Sequence, residues 1–179
     1  MSKIRPLHFL LRYSDKLSGK DTIAEHRAIL NGIGSVLLGK FGVGASTSVV
    51  GDAIDQISAG VKCYLYLMTG GSITHRCRII DVQSSKKGGL PFTPKTVSLI
   101  PDYYRSTKCK LWFELNKIDD YQVSISNFYL YNSVQERPSI RGMRGLVYIT
   151  TEMGPEKITI KCDTIDPSRD KLLTGSLFD

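Results

Sequence analysis

The chain has 179 residues, of which 41% are hydrophobic and 23% are charged. This length is typical of one domain, and this composition excludes a wholly disordered chain and a coiled coil. No apolar run reaches the roughly 18 residues that a membrane-spanning helix needs, and the N-terminus lacks the pattern of a signal peptide. The 4 cysteines do not make a disulfide scaffold, so we expect a cytoplasmic protein with reduced thiols.

The net charge of +7 is unevenly distributed along the chain. Residues 1–110 contain 16 lysines and arginines against 7 acidic residues, whereas residues 111–179 contain 8 against 10. A basic body favours a polyanionic partner, because the neutralisation of phosphates supplies most of the non-specific affinity for nucleic acid. A basic domain without such a partner is the alternative at this point.

Hydrophobic periodicity and turn residues predict a mixture of strands and helices. In chain order, the predicted elements are a strand at 8–13, a helix from Asp21 to Gly32 or Gly34, a strand at 36–38, a helix at 49–57, a hairpin of strands at 61–69 and 73–82, strands at 110–115, 123–131 and 145–151, and a candidate strand at 157–161. This order lacks the regular alternation of a doubly wound fold. It predicts an α+β fold with one curved mixed or antiparallel sheet and two or three helices.

The expected domain comprises residues 1–162, and the polar residues 163–179 are expected to form a tail or linker. The loop at 83–89 is polar and glycine-rich and carries two adjacent lysines at its tip, so it is expected to be mobile. These boundaries place all of the predicted strands and both predicted helices in one unit.

The sequence from Gly34 to Lys40 has the spacing G-x-x-x-x-G-K of a phosphate loop. Phe41 then stands where such a loop needs Ser or Thr for magnesium, and the residues between the glycines predict a strand. The cysteines include no C-x-x-C pair, and the histidines form no H-E-x-x-H motif. We therefore expect no bound nucleotide, no metal and no cofactor, and we expect His26 on the surface of the first helix.

Two carboxylates approach the pattern of a restriction-type nuclease, which needs one carboxylate and then E-x-K on a strand. Asp102 and Glu114 are the candidates, but Glu114 is followed by Leu-Asn-Lys, which is one residue too long. A metal-dependent nuclease is therefore kept as an alternative, while the leading interpretation assigns no catalytic residue to this chain.

Aromatic residues are concentrated in one part of the chain. Of its 1 tryptophan, 9 tyrosines and 6 phenylalanines taken together, eight lie between residues 103 and 131. Tyr103 and Tyr104 follow a proline in a predicted loop, where periodicity gives neither of them a place in the core. Arg105 and Lys108 flank this pair. Rings beside cations suit the stacking of a base, or a cage around a methylated group.

The run Phe9–Ser14, a helix, and then Gly34–Lys40 resemble the opening of YTH and EVE domains, which are related members of the PUA-like superfamily. The resemblance continues through the second helix and the hairpin, and it resumes at Tyr103–Arg105 and at Lys110–Phe113. It implies a module that holds a methylated or otherwise modified base of DNA in an aromatic pocket, often after flipping the base out of the duplex.

Prokaryotic members of this kind resemble the N-terminal targeting modules of modification-dependent restriction systems of the McrB type. The partners that the resemblance implies are DNA with a modified base and the motor or nuclease part of such a system. An RNA-binding PUA-like module is the alternative, and the 2′-hydroxyl is the group that would distinguish the two.

The resemblance also implies pocket residues. Tyr104 matches an aromatic residue of the cage, with Tyr103 as its near alternative. Leu37 matches a second cage aromatic without being aromatic itself, and Phe41 is its candidate substitute. The expected base pocket comprises Tyr104, Tyr103, Leu37, Phe41, Tyr13, Ser14, Asp15 and Trp112. Positive charge suggests the contacts to phosphate, which are Lys40, Arg105, Lys108, Lys86, Lys87 and Arg12.

Overall fold

The computed structural model describes residues 5–86, 89–133, 136–139, 141 and 145–152, without the side chain of Tyr104. The segment 163–179 and the candidate strand at 157–161 lie outside the described residues. The elements are β1 (His8–Arg12), β2 (Lys16–Leu17), β3 (Lys20–Asp21), α1 (Thr22–Ile33), β4 (Val36–Lys40), α2 (Thr47–Ser58), β5 (Cys63–Thr69), β6 (Ser72–Ser84), β7 (Leu111–Val123), β8 (Tyr129–Leu130) and β9 (Leu146–Thr150). Short 3-10 helices lie at Val97–Leu99, Asp102–Tyr104 and Ile125–Asn127.

Seven strands form one open, curved sheet in the order β4-β7-β6-β5-β1-β9-β8. β1 pairs with β5 in parallel, and the other neighbouring strands pair antiparallel, so the sheet is mixed. β2 and β3 form a separate two-stranded hairpin. Together with two α-helices, this arrangement confirms the predicted α+β class.

Both α-helices begin at side-chain caps. Asp21 Oδ1 accepts from the backbone N–H of Ala24 at 2.9 Å, and Ser46 Oγ accepts from that of Val49 at 3.4 Å. α1 ends at Gly34, whose φ of 97° lies in the left-handed region that favours glycine. The bounds of α1 agree with the prediction, whereas α2 begins two residues earlier. Of the helices in the described part of the chain, none has the length and apolar character needed to span a bilayer.

The sheet separates two apolar clusters. Strand alternation directs Phe9 and Leu11 of β1 to the face that the helices cover, and it directs Leu10 to the opposite face. On that opposite face, Phe128 packs on Tyr66 with the ring centroids 4.7 Å apart. The segment after β7 therefore closes the second cluster, and the main core lies between the sheet and the helices.

The long strand β7 is the largest difference from the predicted elements. Two separate strands were predicted at 110–115 and 123–131. The structure has one strand of 13 residues, which continues from the first predicted strand through the segment between them and ends at the first residue of the second. Its polar residues stay in the sheet because they pair with β6: the Asp119 carboxylate lies 3.5 Å from the Arg76 guanidinium. The alternating residues beyond β7 form a 3-10 turn and the two-residue strand β8. The alternation of apolar and polar residues in this segment therefore arises from its packing against the sheet, and not from a continuous strand.

The described cysteines are buried free thiols, as expected for reduced cysteines in a protein core. Burial raises the pKa of Cys63 to about 12 and that of Cys109 to about 11. Burial also raises the pKa of Cys77. All three thiols are therefore neutral at pH 7, and Cys162 lies outside the described residues.

Candidate functional site

A cavity of about 170 Å³ lies between the end of β1, the start of α1 and the end of β4. Apolar groups form most of its wall. Because an engineered apolar cavity of about 150 Å³ binds benzene, this cavity has room for one aromatic ring. Six of the residues predicted at the site line it, namely Arg12, Tyr13, Ser14, Lys40, Phe41 and Tyr103.

The loop after β1 forms one wall of the cavity, and α1 holds this loop in place. At the end of β1, the Arg12 N–H donates to the Gly145 carbonyl at 2.8 Å, and the Tyr13 N–H donates to the Met68 carbonyl at 3.0 Å. Thr22, the first residue of α1, donates its hydroxyl to the Ser14 carbonyl at 2.7 Å and its N–H to the Asp15 carbonyl at 3.0 Å. Asp15 therefore supports the wall with its backbone, while its exposed side chain does not line the cavity.

Gly39 of β4 forms part of the cavity wall, and Trp112 of β7 lies directly behind it. The two residues are register partners in the antiparallel pairing of these strands. A Cβ atom on Gly39 would lie 2.8 Å from the Cζ3 atom of Trp112 and 2.8 Å from the Sγ atom of Cys109. Both neighbours are buried in a close-packed interior. Only glycine fits this position without displacing one of them.

We expect Gly39→Ala to lower the free energy of unfolding by about 1–3 kcal/mol, which is the usual cost of overpacking a core. Unfolding in urea measures this change. Gly32→Ala is the matched control, because no atom lies within 4 Å of the Cβ that it adds in α1. Helix propensity favours alanine there by about 1 kcal/mol. A Gly39 variant as stable as the native chain would contradict the close contact with Trp112.

Two aromatic rings border the cavity. Tyr103 lies in the 3-10 turn Asp102–Tyr104, and burial raises the pKa of its hydroxyl, so the phenol is neutral at pH 7. Phe41 follows β4 directly and keeps 50% of its surface exposed. A large apolar ring that is half-exposed at the edge of a cavity is available to stack on a planar ligand.

Lys40, the last residue of β4, is only 6% exposed. Its Nζ atom donates to the Phe41 carbonyl at 2.9 Å and to the Val43 carbonyl. Burial lowers the pKa of Lys40. We expected Lys40 to contact a phosphate, but its side chain is buried. The chain turns after β4, and this turn brings two backbone carbonyls to the ammonium.

His26 on α1 is also buried, with 1% of its surface exposed, and not on the helix surface where we expected it. Its Nδ1 atom lies 2.6 Å from the Thr22 carbonyl oxygen. Burial lowers the pKa of His26 to about 4, so the ring is neutral at pH 7. The imidazole therefore adds a polar but uncharged group to the cavity wall.

The cavity lies inside a segment that matches a known family. The family model described as Pua-like matches residues 9–148, and this range includes every residue that lines the cavity. The chain belongs to the Pua-like family. Pua-like domains typically bind RNA or DNA, and they are generally binding modules and not enzymes. No curated protein and no solved structure matches the chain significantly.

Two residues that were expected in the pocket of this Pua-like domain lie in its core instead. Leu37 and Trp112 are fully buried in a cluster with Leu99 and Cys109, and neither lines the cavity. The indole Nε1–H of Trp112 donates to the Phe92 carbonyl at 3.0 Å. The pairing of β4 with β7 brings both side chains into this cluster, so Leu37 does not take the place of a cage aromatic.

The expected phosphate contacts of the Pua-like domain lie in different parts of its surface. Lys86 lines a second cleft of about 420 Å³, together with Lys110 and with residues 43–47 after β4. Lys87 and the ring of Tyr104 lie outside the described parts of the chain. The other contacts that the structure describes outside the core are exposed side chains, namely Arg12, Arg105 and Lys108.

Sequence reasoning missed part of the cavity wall of the Pua-like domain. Thr22 and His26 lie four residues apart, so they share one face of α1, and this spacing was the available signal. Leu17 and Gly145 also line the cavity. Gly145 comes from a segment more than 100 residues further along the chain, and no local pattern connects it to the others.

The two carboxylates of the nuclease alternative have separate partners in the Pua-like domain. Asp102 forms an ion pair with Arg105. Glu114 accepts a hydrogen bond from the Ser35 hydroxyl at 2.8 Å. In the residues that the structure describes, no group of three or more His, Cys, Asp or Glu side chains could hold a metal ion.

Proposed function

We propose that this Pua-like domain binds a single modified base of DNA that is flipped out of the duplex into the cavity beside β1. The observation that carries the proposal is a cavity with room for one ring, bordered by Tyr103 and the half-exposed Phe41. The excess of positive charge in residues 1–110 supports a nucleic-acid partner. Tyr104 remains part of the proposal as a neighbour of the bound base.

The energetics favour a base that carries an added apolar group. Flipping costs a few kcal/mol of lost stacking and pairing. Stacking on an aromatic side chain returns about 1–3 kcal/mol per base. Burial of a methyl group against the apolar wall adds about 25 cal/mol per Å² of its surface. The modified base is therefore expected to bind more tightly than the unmodified one.

Fluorescence anisotropy with short labelled duplexes tests this function. Duplexes of one sequence carry a single modified base or none, and each is measured at two salt concentrations. Base recognition predicts a preference for a modified duplex that persists at the higher salt, since phosphate contacts alone weaken with salt. Equal binding of all duplexes would remove base recognition. Tighter binding of RNA of the same sequence would favour the alternative of an RNA-binding module.

We expect Phe41→Ala to lower the affinity for the preferred modified duplex by roughly 5- to 150-fold, which corresponds to the loss of about 1–3 kcal/mol of stacking. Binding of the unmodified duplex should change little, because Phe41 carries no charge. Leu90→Ala is the matched control, since Leu90 is 84% exposed and does not line the cavity. A similar loss in both variants would exclude a stacking role for Phe41.

We further propose that base recognition directs a restriction or defence system to modified DNA. The resemblance of the chain to the targeting modules of McrB-type systems supports this role. Its test is infection of cells that express the system with phage whose DNA carries the preferred base or the plain one. Equal protection of cells with native chain and with Phe41→Ala would contradict the role.

A further inference from the structure

Tyr13 forms part of the cavity wall, and its hydroxyl contacts residues of β6 that do not line the cavity. The hydroxyl lies 3.4 Å from the Nδ1 atom of His75 and 3.5 Å from the hydroxyl of Thr74. The rings of Tyr13 and His75 also meet nearly at right angles, with their centroids 6.1 Å apart. His75 therefore belongs to the support of the wall and not to the wall itself.

The surroundings of the His75 ring decide which of its nitrogens accepts a hydrogen bond. His75 and Asp120 are register partners in the pairing of β6 with β7, and the Nε2 atom lies 3.3 Å from Oδ1 of the carboxylate. An ionised carboxylate only accepts hydrogen bonds, so Nε2 carries the hydrogen and Nδ1 is the acceptor in the neutral ring. Burial and the nearby Arg27 lower the pKa of His75, so the ring is neutral at pH 7.

Arg27 of α1 holds the Asp120 carboxylate that selects this tautomer. Its guanidinium donates to Asp120 Oδ1 at 2.9 Å and to the Ile118 carbonyl at 3.1 Å. The ion pair therefore ties the outer side of the His75 ring to α1 and to β7. A ring held on one side by a carboxylate presents its other nitrogen in a fixed direction, as carboxylates do for histidines in many sites.

The hydroxyl of Thr74 completes the network on the inner side of the ring. It lies 2.9 Å from the His75 Nδ1 atom and 3.4 Å from the Leu67 carbonyl oxygen. If Thr74 donates to that carbonyl, Tyr13 donates to Nδ1; if Thr74 donates to Nδ1, Tyr13 donates to the Thr74 oxygen. In both arrangements the Tyr13 hydroxyl has an acceptor and Nδ1 has a donor.

Resting on the proposed function, we propose that His75 is a positioning residue of the base pocket, which holds the Tyr13 side chain in the place that the flipped base requires. A wall that is fixed before the base enters saves the cost of ordering it on binding. Without His75 the hydroxyl of Tyr13 loses its place in the network, and its ring is free to leave the position in which it lines the cavity.

A double-mutant cycle of Tyr13→Phe and His75→Leu tests this role. Labelled duplexes of one sequence carry a single 5-methylcytosine, 5-hydroxymethylcytosine or N6-methyladenine, or no modification, and the cycle uses the duplex that the native chain binds most tightly. Each single variant is expected to lower this affinity roughly 2- to 10-fold, the range for one hydrogen bond between neutral groups. The double variant is expected to lose little more than either single variant, because both changes remove the same interaction.

Tyr148→Phe is the matched control for Tyr13→Phe. It also removes the hydroxyl of a half-buried tyrosine, but this hydroxyl accepts from the Ser46 N–H at 3.1 Å, and Tyr148 does not line the cavity. It should leave the affinity unchanged and add nothing to the effect of His75→Leu. A loss as large as that of Tyr13→Phe would show that the cycle reports a general effect of lost hydroxyls, and would contradict the role of His75.

Nitrogen NMR of the histidine rings gives a readout that needs neither DNA nor a change at His75. At pH 7 the His75 ring is expected to carry its hydrogen on Nε2, and Tyr13→Phe is expected to shift the Nδ1 resonance, whereas Tyr148→Phe leaves it in place. A merely structural role of His75 would not link this resonance to the Tyr13 hydroxyl. Hydrogen on Nδ1, or a resonance that Tyr13→Phe does not move, overturns the proposal.

The outcomes also separate this inference from the proposed function. A native chain that prefers a modified duplex but gives an additive cycle keeps base recognition and contradicts positioning by His75. A native chain without any preference defeats both. Thermal unfolding checks that the variants are folded. His75→Asn, whose amide oxygen lies near the position of Nδ1, is expected to recover part of the affinity, and a folded His75→Asn as weak as His75→Leu counts against the proposal.

Discussion

Lowering the pH from 7 to 4 will reduce the free energy of unfolding by several kcal/mol, because two buried histidines resist protonation in the folded state. His8 is 4% exposed and His26 is 1% exposed. Burial lowers the pKa of each from 6.5 to about 4, and backbone hydrogen bonds only partly oppose this effect. Both rings are therefore neutral in the native protein at pH 7, and they take up protons only as the pH approaches 4.

The sign follows from the proton balance between the two states. In the unfolded chain both histidines titrate near 6.5, so between pH 6.5 and 4 the unfolded state binds protons that the folded state does not bind. Stability is fully present above pH 6.5 and is lost as the pH falls towards 4. One pKa unit corresponds to about 1.4 kcal/mol, so each histidine contributes a loss of about 3 kcal/mol.

Urea unfolding at a series of pH values measures this loss. His8→Gln should flatten the dependence by somewhat less than half between pH 6.5 and 4, because His26 remains and burial also lowers the pKa of the third histidine, His75. Asp119 and Asp120 contribute little to this loss above about pH 5, since hydrogen bonds and ion pairs with Lys117 and Arg27 lower the pKa of these two carboxylates. Their contribution is lost only at lower pH. A free energy of unfolding that stays constant from pH 7 to 4 would contradict the buried neutral state.

Trp112→Ala is expected to lower the free energy of unfolding by about 3–5 kcal/mol, the range for truncating a large aromatic residue in a core. The indole is fully buried, and its Nε1–H donates to the Phe92 carbonyl at 3.0 Å. The substitution removes the packing against Gly39 and one of the two hydrogen bonds that this carbonyl accepts, the other coming from the Cys109 N–H at 3.1 Å. The resulting cavity cannot collapse easily, because β4 and β7 are paired across it.

Phe41→Ala is the control for Trp112→Ala, because it also truncates an aromatic residue but at a half-exposed position. It should cost less than half as much stability in the same urea experiment. Equal losses would show that the burial of the two rings does not differ as the structure describes. Trp112→Phe should restore part of the packing but not the hydrogen bond, so its stability is expected to lie between those of Trp112→Ala and the native chain.

These two results concern the scaffold of the site as well as the stability of the fold. His26 and Gly39 line the cavity, and Trp112 lies behind Gly39. A base pocket must keep its shape before the ligand arrives, because ordering it on binding would reduce the affinity. The wall that we assign to base recognition is therefore built from the same residues that contribute strongly to folding.

Local sequence signals were sufficient for much of the secondary structure. Asp21 and Gly34 mark the ends of α1, because a capping carboxylate and a left-handed glycine act within a few residues. The pair Gly70–Gly71 marks the turn between β5 and β6 in the same way. The resemblance to YTH and EVE domains correctly indicated a PUA-like fold, and it directed attention to the end of β1 and to Tyr103.

The sequence by itself determined the helix ends, the hairpin, the alternation that builds two apolar faces, and the basic charge of the first 110 residues. Tertiary structure alone decided the strand order, the single long strand β7 and the burial of His26, Lys40 and Trp112. The physical reason is the distance along the chain over which each interaction acts. Caps and turns depend on neighbours along the chain, whereas burial depends on which distant strand pairs alongside, and a lysine or histidine has no local pattern that reveals what will cover it.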